Sequence, residues 1–128
     1  MARVFVFDSD SGLLHDTGEL LVRHGYVVSL FPTVGALLPR LAEQPDAVVC
    51  SRDLDGVDAW SLGRAVLARS PRSTVLLVSA KHEPVSHPLE STAPAPFPCR
   101  RADLLSALDA HLTTAPMRAD GEDSRSRI

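Results

Sequence analysis

Residues 4–26 read VFVFDSDSGLLHDTGELLVRHGY. The run Val4-Phe5-Val6-Phe7 is short, apolar, and rich in β-branched and aromatic residues, which is the pattern of a strand buried on both faces. It ends at Asp8. From Ser11 to His24, Leu13, Leu14, Leu20 and Leu21 recur at a seven-residue offset and gather on one face of an amphipathic helix. Gly25 suits the stop of that helix, and a second apolar run, 26–31, follows at once. A strand that feeds a helix and returns as a strand is the unit of a parallel sheet with right-handed crossovers.

The alternation continues outward. Thr33 caps a helix whose Val34, Leu37, Leu38 and Leu41 share a face. Pro39 is the misfit, and predicts either a kink or a helix that starts later than its apolar pattern. Strands are predicted over 47–51 and 74–79, and helices over 58–69 and 101–112, the last with Leu104, Leu108 and Leu112 on one stripe and Asp103 in its first turn. The segment 80–98, AKHEPVSHPLESTAPAPFP, carries five of the ten prolines. No regular helix of useful length forms there, because each interior proline removes a donor and clashes with the preceding turn. Residues 94–98 remain for a fifth strand, confined to an edge by prolines at alternate positions. The expected organisation is one domain over 1–113 and a polar, aperiodic, disordered tail over 114–128, dispensable for folding.

Composition excludes several classes of function. Of 128 residues 45% are apolar and 23% charged, as in an ordinary water-soluble domain. The net charge is −3 and no basic stripe follows a phosphate backbone, so nucleic acid is not an expected partner. No apolar stretch approaches the ~20 residues of a membrane span, so membrane insertion is not expected either. Cys50 and Cys99 lack metal-ligand spacing, and a strand pattern stands where a secretory leader would lie, which together suggest the cytoplasm. His82 and His87 read as solvated loop residues, not metal ligands, and so do His15, His24 and His111. Cys50, Ser51 and Ser79 have no histidine placed beside them by the sequence, and read as packed strand ends, not nucleophiles. Trp60 reads as a partly buried helix-start residue or an exposed anchor. No catalytic residue, cofactor or metal is expected.

These segments resemble response-regulator receiver domains in order and spacing. VFDSDSGLLHDTGELLVRHGY is similar to that family's first strand, acidic cluster, leucine-rich helix and Gly-Tyr. PDAVVCSRDLDGVDAW is similar to its third strand and following loop, VLLVSA to its fourth strand, and FPCRRADLLSAL to its Lys-Pro segment and last helix. The resemblance implies a flavodoxin-like, doubly wound α/β fold: a five-stranded parallel sheet of order 2-1-3-4-5, with the fourth helix lost or replaced by the Pro-rich loop. It also implies a phosphorylation pocket, and there the chain departs from the family. Asp8 keeps the first acid and Ser79 the hydroxyl, but the second acid falls on Ser9, the phosphoryl acceptor on Ser51 and the lysine on Phe97. The one lysine in the chain, Lys81, lies just past the fourth strand. Asp8 and Asp10 read as charges on the dipole of the first helix, in preference to a residual cation site.

The implied function is that of a pseudo-receiver: a phosphorylation-independent adaptor of bacterial-type signalling that binds a protein partner, with a homodimer left open. The family's partner face points to the altered segment and the final helix, with Lys81, His82, Glu83, Pro84, His87, Leu89, Pro94, Pro96, Arg100 and Arg101 as candidate contacts. Two other readings are kept. A working receiver would accept phosphate at the displaced Asp53, although Asp53 and Asp55 read as loop formers around Gly56. A small-ligand binder would use Ser9-Asp10-Ser11-Gly12, which resembles a flavodoxin phosphate loop, yet its acids repel a phosphate at the helix N-terminus.

Overall fold

β1 (Arg3–Phe7) pairs on one side with β2 (Val27–Phe31) and on the other with β3 (Ala47–Ser51), parallel in both cases. This is seen in a computed structural model that describes residues 2–51, 58–79 and 96–113. β3 pairs with β4 (Thr74–Ser79), and β4 with β5 (Phe97–Arg100), giving the expected order 2-1-3-4-5 with every pair parallel. The helices are α1 (Ser11–Arg23), α2 (Val34–Arg40), α3 (Ala59–Arg69) and α4 (Leu104–Thr113). Segment 80–95, where the fourth helix of the resemblance was expected to be lost, lies outside the described residues, as does the 114–128 tail.

The two-residue alternation of the strands divides the core into two layers. Phe5, Phe7, Val48, Cys50, Val75 and Leu77 face α2 and α3, where they meet Leu37, Leu41, Leu62 and Val66. Val4, Val6, Val49, Leu76, Val78 and Cys99 face α1 and α4, against Leu14, Leu21, Leu104 and Leu108. β1 and β3 lie inside the sheet and are covered on both faces, which is why their sequences read as continuous apolar runs. Trp60 is half-buried against the first layer.

Three boundaries differ from the sequence pattern. α2 starts where its apolar residues place it, with Thr33 Oγ1 accepting from the Ala36 amide at 3.1 Å, so Pro39 does not delay the helix. Instead the helix runs through Pro39, which lacks the amide for its own rung, and one residue later tightens into a 3-10 turn over Leu41–Glu43. The final helix likewise opens with a 3-10 turn, Arg101–Asp103, and is α-helical only from Leu104. β5 begins at Phe97, not Pro94, and runs to Arg100. Pro96 has no amide to give the ladder and is buried against α3 instead.

Candidate functional site

Asp8 is the first residue past β1 and is buried at the carboxyl end of the sheet. Its Oδ1 accepts from the Asp10 amide at 2.9 Å. Asp10 is itself the N-cap of α1, its Oδ1 accepting from the Leu13 amide at 3.0 Å. That carboxylate is thus committed to an otherwise unpaired helix donor and to the positive end of the helix dipole. Ser9 between them is exposed.

The last residue of β3, Ser51, is also buried, and it lies across from Asp8 on the wall of a small cavity of about 20 Å³. Thr17 of α1 and Arg101 complete the polar lining, and Val6, Val49 and Val78 supply apolar walls. Such a volume has room for about one water molecule. Ser79 ends β4 and is buried, but it does not line this cavity, because Val78 is the residue that turns toward it. Cys50 faces the opposite layer, where burial pushes its thiol up to about 12, so it supplies no thiolate at neutral pH.

The sequence reading left the pocket without a cation, and the structure corrects this. Arg101 is half-buried, and its guanidinium lines the cavity and donates a hydrogen bond to Thr17 Oγ1. Its neighbour Arg100 goes the other way: it is exposed, and its Nε donates to Asp103 Oδ2 at 3.0 Å. The sequence alone places both arginines on a partner surface, and the structure separates them. A residue that directly follows a strand lies at the carboxyl end of the sheet whatever its type, and that was the signal to follow.

Phe97 is not part of the site. It is the first residue of β5, level with Leu76, 45% exposed, with its ring centroid 4.2 Å from that of His111. The shift of β5 is the reason: the strand end level with Ser79 is Arg100. Pro96, expected on the partner surface, is buried, and a Cβ built on Gly63 of α3 would lie 2.7 Å from its Cγ. Lys81, His82, Glu83, Pro84, His87, Leu89 and Pro94 lie outside the described residues, and so do Asp53 and Asp55.

The residues of this pocket do not fit Mg²⁺, which the receiver family would imply. That ion demands octahedral oxygen ligation with carboxylate help. Among the described residues Asp8 is the one carboxylate on the cavity, Asp10 is used as a cap, and a guanidinium shares the space. Among the described residues, no three His, Cys, Asp or Glu side chains converge on a point. No described helix is long and apolar enough to cross a membrane.

No protein-family model and no curated protein sequence matches this chain. Solved structures do. A receiver domain protein (CheY-like) from Methanospirillum hungatei JF-1 superposes with a TM-score of 0.73 at 19% identity, covering 93% of this chain and 99% of that one. A receiver domain protein from Clostridium thermocellum gives 0.70 at 18% identity, covering 90% and 94%. The response regulator TrrA from Thermotoga maritima, in complex with Mg²⁺ and BeF, gives 0.67 at 19% identity, covering 88% and 99%. The fold of this chain is that of the response-regulator receiver domains.

Proposed function

We propose that this chain is a pseudo-receiver, a receiver-fold signalling module that acts by holding a protein partner and does not switch by aspartyl phosphorylation. The observation that carries the reading is the end of β3. Ser51 is buried there beside Asp8 and Arg101, around a cavity with room for one water. An acyl phosphate needs a carboxylate nucleophile, and phosphoryl transfer depends on cations that neutralise the developing charge. Among the described residues, Ser51 beside Asp8 supplies neither that nucleophile nor the carboxylates that would hold the metal. Arg101 does bring one cation to the pocket, but Thr17 already engages it.

A module without this switch presents a fixed surface, and function then lies in that surface. The partner face proposed here is segment 80–95 with the exposed Arg100. Pro96 and Arg101 are left out, since one packs on α3 and the other enters the cavity. The test is incubation of the full chain with acetyl phosphate and Mg²⁺, read by intact mass. No phosphoryl adduct is expected. A stoichiometric, hydroxylamine-sensitive adduct on Asp53 would replace this reading with that of a working receiver.

A further inference from the structure

We draw no further inference here: the strongest candidate, the apolar groove that Gly18 and Val22 of α1 form with Val28 and Leu30 of β2, lies on the outer edge of the described sheet, and nothing in the structure shows what covers it.

Discussion

Arg101, the residue after β5, donates a hydrogen bond to Thr17 Oγ1 on α1, joining two points 84 residues apart in the chain. Thr17 is buried and Arg101 half-buried, so the bond sits where water competes poorly. It ties the corner between β5 and the final helix to α1 across the candidate pocket.

Thr17→Val keeps the shape of the side chain and removes the acceptor. The loss of this hydrogen bond to a charged donor should lower stability by about 1–3 kcal/mol. Urea denaturation checks it, and a midpoint equal to that of the wild type would show that the link does not form in solution.

Gly63 of α3 is a close approach. A Cβ there would meet Pro96 Cγ at 2.7 Å and Leu77 Cδ2 at 3.2 Å. A pyrrolidine ring has little room to give, so Gly63→Ala should destabilise the fold by about 1–3 kcal/mol through overpacking. Pro96→Ala in the same chain should recover part of the loss, a coupling that a double-mutant cycle measures. Gly35→Ala is the contrast: its nearest atom would be Thr33 Oγ1 at 4.0 Å, and the same substitution should there stabilise α2 by about 0.5 kcal/mol. Equal effects at the two glycines would contradict the packing.

Tyr26 is the one tyrosine in the chain, and its hydroxyl donates to Asp109 Oδ1 at 2.6 Å. Burial first, then the hydrogen bond and charge of Asp109, push its pKa up to about 12. The neutral phenol is therefore favoured in the folded state. The stability this contributes is fully present below the ordinary tyrosine value near 10 and is lost as pH rises toward 12. Absorbance at the phenolate band after a rapid pH jump should show late ionisation, and Asp109→Asn should move it only partway back, since burial remains. A midpoint near 10 in the folded wild type would contradict the contact.

If segment 80–95 carries the partner surface, replacing residues 83–92 by a neutral linker of equal length should abolish capture of the native partner from cell extract. The circular-dichroism spectrum should be unchanged. Capture that survives the replacement would place the surface elsewhere.

The strand order was readable because β1, β3 and β4 are covered on both faces and announce themselves as apolar runs. The acids at the end of β1 were readable as charges on the dipole of the first helix, but the cap that Asp10 makes on the Leu13 amide came only from the structure. β5 was misplaced because four residues with a central proline carry almost no periodic signal. That error put Phe97 in the pocket and left Arg101 out of it. An apolar pattern reports which face is buried, and it says nothing of where an arginine beside a strand end will send its head group.

The central claim is that the carboxyl end of the sheet no longer forms a phosphoryl site. Titration of the isotopically labelled full chain with beryllofluoride and Mg²⁺, followed by amide resonances of Asp8, Thr17, Ser51 and Arg101, tests it most directly. The account predicts no saturable shift at any of the four. Saturable shifts converging on Asp8 and Ser51 would contradict it.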